Sequence, residues 1–307
     1  MSHVTKGNPA SKFGAFGRLA HRPVLEAKVE ATSDMHLSLS LDHHTKYLKK
    51  AEEITFDIND DAQKRNAITK LTKILNEYRN QVVPIFESRK NSGQENLGST
   101  ILEEFFQILL FPLLKVYSGI DPLDVTLGKA NSYVGLSFTP KDFEGMFDNP
   151  SPNIHTKDQD FVLGCNIEIS VKTNSQDGTS ISKSHSVVVP IVAIECKTYI
   201  ERNMLDSCSG TASRLKAGMP YCLYLVAAEY MKMDVAFPEL SDIDELYILT
   251  RKSNSDRLLS AKKSIAPYEI QTDLIIDIFE LVERHLDRVW WDPETALLRG
   301  KVIGRPS

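Results

Sequence analysis

The chain lacks most of the features that mark whole classes of protein. It has only four cysteines, Cys165, Cys196, Cys208 and Cys222. No two of them form a CxxC, and no His-x-x-x-His pair accompanies them, which argues against a structural zinc site. Cys165 and Cys196 fall in apolar runs and are expected to be buried thiols. No stretch approaches the roughly 18–20 apolar residues of a membrane span. Residues 1–22 are polar, glycine-rich and lightly basic, without the apolar core of a secretory signal. They are expected to be a flexible or partner-bound arm, and the reducing cytoplasm is the expected compartment. There is no internal repeat and no extended low-complexity tract. Nor is there a basic excess: 36 Lys and Arg stand against 41 Asp and Glu, giving a net charge of −5 and a pI near 5.9. That weighs against nucleic-acid binding only weakly, because phosphate contacts depend on local patches.

What is present suits a globular protein. Hydrophobic residues make up 42% of the 307 and charged residues 25%, enough for a sizeable core in one large domain or two small ones. Residues 1–40 show no sustained periodicity. Helices are expected over 42–54 and 61–86; in the second, Ile68, Leu71, Leu75, Tyr78 and Val82 form one apolar stripe. Lys64, Arg65, Lys70, Lys73 and Arg79 decorate the rest, as a solvated face or, in part, a phosphate-contacting one. Residues 88–99 read as a turn. A buried helix starts near Thr100, where Thr100 and Glu103 fit a capping box, and Pro112 ends or kinks it. Residues 121–152 read as loops with short strands. Strands are expected at 160–172 and 186–198 around a long hairpin loop, 172–183. A helix over 201–217, strands at 221–227 and 245–250 and an amphipathic helix over 272–289 follow. This order predicts a mixed α/β sheet with helices on its faces.

Two runs carry chemistry. Asp160 opens the apolar run Asp160-Phe161-Val162-Leu163-Gly164, and Glu195-Cys196-Lys197 closes the run that starts at Val187. Side chains on a strand alternate, so Glu195 and Lys197 share one face and Cys196 takes the other. A charged pair at the end of a buried strand is costly, since neither group is well solvated there. Two carboxylates and an ammonium converging on one point make a site for a hard cation with a proton handler beside it, equipment for phosphodiester hydrolysis. The plainer reading of Lys197 is a salt bridge to Glu195 or Asp160.

This order of elements, with Asp160 and Glu195-Cys196-Lys197 on adjacent strands, resembles the PD-(D/E)xK nuclease superfamily. The stretch Gly98-Ser99-Thr100-Ile101-Leu102-Glu103 looks like the leading helix that supplies a further acid in many members. The whole chain resembles a Type II restriction endonuclease, and in particular one subunit of the heterodimeric BbvCI-type enzymes. The motifs span roughly residues 98–250. The sequence departs from the pattern in two places: Gln159, not proline, precedes the aspartate, where Asp158 competes with Asp160, and the gap from Asp160 to Glu195 is at the long end for such enzymes.

The resemblance implies a nuclease domain over 93–307 behind an arm and helical region, 1–92, that binds DNA or a partner subunit. It implies magnesium held by Asp160, Glu195 and the carbonyl of Cys196, with Lys197 orienting or deprotonating a water. Glu103 is a distal acid or only the cap partner of Thr100, with Glu104 as the fallback. Double-stranded DNA is the implied substrate, and a related second subunit or a second copy the implied partner. A repair or mobile-element nuclease of the same fold, and a non-catalytic DNA-binding subunit, remain as alternatives. Arg202, Arg214, Lys216, Arg251 and Lys252 are candidates for DNA contact. Glu168 is expected to face solvent, His43 and His44 to lie on a helix surface, and Trp290-Trp291 to anchor a core or an interface.

Overall fold

The computed structural model describes residues 11–89, 97–114, 121, 124–174, 180–233, 236–263, 265–287 and 292–300. Residues 1–10 of the N-terminal arm, most of the 88–99 turn, Gly178 of the 172–183 loop and Trp290-Trp291 lie outside them. Three helices come first: α1 (His21–Thr32), α2 (Met35–Glu52) and α3 (Asp61–Glu87). Then follow α4 (Ser99–Leu114), β1 (Val125–Phe138), the single turn α5 (Gly145–Asp148), β2 (Pro152–Asn174) and β3 (Ser180–Ile200). The chain continues with α6 (Arg202–Gly218), β4 (Leu223–Met231), β5 (Glu245–Ser253), α7 (Asn254–Lys262), α8 (Thr272–Asp287) and α9 (Pro293–Arg299).

The five strands form one mixed sheet in the order β1-β2-β3-β4-β5. The β1–β2 and β2–β3 pairs are antiparallel, while β3–β4 and β4–β5 are parallel. The helix crossing from β3 to β4 is α6, which suits a parallel pair that no tight hairpin could join. Helix α4 lies against one face of the sheet, contacting β1, β2 and β3, with α1, α3 and α8 packed on its far side. Every residue of α4 from Thr100 to Phe111 is buried, so an all-round apolar sequence has become a central layer. Its core is continuous with the stripe of α3, where Ile68, Leu71, Leu75, Tyr78 and Val82 are all buried. The opposite face of the sheet is covered by α6, through Leu205, Cys208, Ala212 and Leu215.

Several expectations need correction. Residues 11–22 are not a loose arm: Phe13 and Leu19 are buried, and Ser11 and Lys12 bond to Glu52. Helix α1 escaped notice because it buries only His21 and Leu25, too few for a periodic stripe. The segment read as loops with short strands holds one fourteen-residue strand, β1, interrupted by register shifts at Gly128 and Gly135. The strands at 172–183 reach Asn174 and Ser180, which pair with each other. Pro112 does not end α4, which runs on to Leu114. Cys165 is exposed rather than buried.

Buried charge ties the N-terminal helices to the sheet. Arg79 and Lys64, expected on a solvated face, are buried. Arg79 pairs with Glu229 of β4 and donates to the Tyr268 carbonyl at 2.9 Å, while Lys64 pairs with Glu283 of α8 at 2.8 Å. His44, expected at the surface, is also buried, with Nε2 2.5 Å from Glu104 Oε1. His21 sits between Thr100 Oγ1 at 2.9 Å and the Tyr78 hydroxyl at 2.7 Å, and its amide donates to Glu104 Oε2.

Burial, helped by the neighbouring His44, lowers the His21 imidazole from 6.5 to about 3. The unfolded chain therefore takes up a proton below about pH 6.5 that the folded chain refuses. Glu104 adds to this from lower pH: burial alone would raise its carboxyl, but His44 and the other donors around it hold it below its ordinary value. Stability is complete above about pH 6.5 and falls on acidification toward pH 3, by up to about 1.4 kcal/mol per pH unit for His21. Urea unfolding at pH 7.5, 6 and 5 checks this. The expected result is a loss that His21→Asn reduces; a profile identical in both proteins contradicts it.

Candidate active site

The site forms where two paired strands part. β2 and β3 are paired from Asn174–Ser180 up to Phe161–Ile194. Beyond that point β3 continues beside β4 as far as Ile200, and β2 continues beside β1. At the fork the Cys196 amide donates to the side chain of Asp160, at 3.0 Å from Oδ2. The same oxygen lies 3.0 Å from Lys197 Nζ, which is 2.7 Å from Glu195 Oε1. Glu195 Oε2 faces the Tyr224 hydroxyl at 3.5 Å. Strand alternation places Cys196 in the core on the α4 side, opposite Glu195 and Lys197.

Glu103 reaches this cleft from α4. It is not a cap partner: Thr100 lies inside the helix, and its hydroxyl meets Leu97 O and His21 Nδ1. Glu103 is buried, and its Oε2 has no hydrogen-bond partner among the described residues. Burial first, then the Asp160 charge, raises its carboxyl from 4.5 to about 7. Glu104, one residue on and about 100° around the helix, points away into the His44–His21 network.

The structure thus brings Asp160, Lys197 and Glu103 together around a cleft of about 400 Å³, with Glu195 held at its edge by Lys197. Burial alone would depress the Lys197 ammonium, but Glu195 and Asp160 beside it hold it well above its ordinary range. It is therefore a charged donor. Among the described residues no three acidic, histidine or cysteine side chains gather closely enough to enclose an ion unaided. The donors nonetheless fit a hard divalent cation, because they are oxygens and the buried Glu103 Oε2 is unsatisfied.

The other candidates lie outside the fork. Glu168 faces solvent as expected. Lys216 pairs with Asp244, Arg251 with Asp273, and Arg202 is exposed on α6. Sequence reasoning missed three groups that the fold delivers here or nearby: Lys129 of β1, Arg257 of α7 and Tyr224 of β4. Only Gly128, just before Lys129, hinted at an irregular backbone.

The sequence profile of the Bpu10I restriction endonuclease family matches residues 94–301, more than half of the chain. The chain belongs to that family. The endonuclease is a Type II site-specific deoxyribonuclease. The family match favours restriction over the repair and non-catalytic alternatives, and such enzymes generally use divalent metal ions. Among solved structures it is similar to the native BbvCI A2B2 tetramer, with a TM-score of 0.64 and 21% identity over 89% of this chain and 98% of that one. That likeness carries the fold. No curated protein sequence matches the endonuclease. Among its described residues no helix is long and apolar enough to cross a membrane.

Proposed function

We propose that this endonuclease subunit hydrolyses one strand of double-stranded DNA at a specific site with magnesium, alongside a related but distinct subunit that cuts the other. The observation that carries the reading is the fork itself: Asp160 Oδ2 3.0 Å from Lys197 Nζ, and that nitrogen 2.7 Å from Glu195, inside the family-matched segment. Asp160, Glu195 and the Cys196 carbonyl would hold the ion, and Glu103 would add a further oxygen. A bound divalent cation polarises the phosphoryl group and makes water a stronger nucleophile. Lys197, kept charged by two carboxylates, orients the attacking water and offsets negative charge growing on the phosphate. This favours orientation over deprotonation as its role. Tyr224 steadies the second oxygen of Glu195. The helical region up to residue 92 serves DNA or subunit contact, with Lys70 and Lys73 exposed on α3. The cytoplasm suits four free thiols.

The substitutions Asp160→Ala, Glu195→Ala and Lys197→Ala should each lower cleavage by this subunit about a thousandfold, the scale seen when a main electrostatic group is lost. DNA binding should survive. Normal cleavage by Lys197→Ala would place the site on another strand.

Division of labour gives a second test. One such site attacks one phosphodiester, and a two-fold symmetric homodimer naturally reads a palindrome. Two different subunits can read an asymmetric site. In the complex with its partner, Glu195→Ala should leave a strand-specific nick, mapped for both strands on a denaturing gel. Loss of both cuts would contradict independent subunits.

A further inference from the structure

The cleft contains a second cation that the chemistry above leaves unused. On β1, Gly128 pairs with Val162 and Ala130 with Gln159, so Lys129 alone stands against two residues of β2, Asp160 and Phe161. Two residues opposing one make a β-bulge, a device that re-aims side chains and is frequent beside active sites. The backbone next to it is specialised. Gly128 has φ +131°, and a Cβ there would come within 2.9 Å of Gln107 Oε1. Lys129 lines the same cleft as Glu103, Asp160 and Lys197.

The two ammonium groups are held differently. Lys197 is locked between two carboxylates. Lys129 is exposed, and among the described residues no carboxylate lies within ion-pair distance of it. Its charge opposes the rise of the Glu103 carboxyl, so it acts inside the cleft without forming an ion pair there. A long, exposed side chain without an ion-pair partner gains little by being ordered in the free protein. It gains a partner when a polyanion enters, because an ammonium is a compact donor to a non-bridging phosphate oxygen.

We propose that Lys129 grips a phosphate of the cut strand inside the cleft, next to the phosphodiester addressed by Asp160, Glu195 and Lys197. This rests on the nuclease reading above. The bulge at Asp160 then sets two things at once: where the acid stands, and where the strand's neighbouring phosphate is held.

The test uses the full subunit with its partner and short duplexes carrying the recognition site, each with one neutral methylphosphonate along the cut strand. Lys129→Gln should weaken DNA binding about tenfold near physiological salt and lower the salt-dependence slope by about one. Lys129→Arg should restore much of the binding. One methylphosphonate position should weaken the native enzyme about as much as Lys129→Gln does, yet cost Lys129→Gln nothing further. Wild-type binding and cleavage by Lys129→Gln, or methylphosphonate penalties unchanged in it, would overturn the proposal. Asp160→Ala separates the two claims. If Asp160→Ala still cuts, the nuclease site itself is misplaced; if it is inactive while Lys129→Gln behaves as wild type, only the role of Lys129 falls.

Discussion

A single carboxylate oxygen, Asp160 Oδ2, accepts both the Cys196 amide and the Lys197 ammonium. The fork depends on that pair of bonds. Where β2 leaves β3, the Cys196 amide has no partner on the β2 backbone, and an orphaned buried N–H costs about 1–3 kcal/mol. The Asp160 side chain supplies the missing acceptor. Because the acceptor is charged, the bond is stronger than an ordinary ladder bond. The strands can therefore separate without leaving a raw edge, and the gap becomes the cleft. The proposed chemistry and the topology share one residue.

Helix α4 extends that economy. Glu103 and Glu104 are consecutive, so they leave the helix about 100° apart. Glu103 enters the cleft with an unsatisfied oxygen, whereas Glu104 is saturated by His44 and the amides of His21 and Arg22. The first keeps an oxygen open toward the cleft, and the second fastens the N-terminal helices. Arg79 and Glu229 make a second fastening from α3 to β4. Removing one member of such a buried pair costs about 3–5 kcal/mol, because the other charge is left stranded. The N-terminal helices thus brace the sheet from behind and share its core.

Much of this was legible in the sequence, and the failures have physical causes. Asp160, Glu195 and Lys197 stood out because charge at the end of an apolar run is rare and expensive. The α3 stripe read correctly because five buried positions repeat with the helical period. Arg79 and His44 misled because local pattern places charge outside, and only a distant partner, Glu229 or Glu104, makes burial tolerable. Helix α1 was missed because it buries too few side chains, and β1 was read as short strands among loops because it carries glycines at its bulges. Lys129 was invisible because its placement depends on register between strands, which no single stretch of sequence displays.

On the proposed reading, the fork of β2 and β3 makes a cation site out of Asp160 and Glu195. The most direct measurement is manganese binding, by electron paramagnetic resonance, to the folded protein with its partner and uncleaved DNA, comparing the native chain with Asp160→Asn. The native subunit should bind one or more ions that Asp160→Asn loses while its fold and DNA binding persist. Equal manganese binding by both would contradict it.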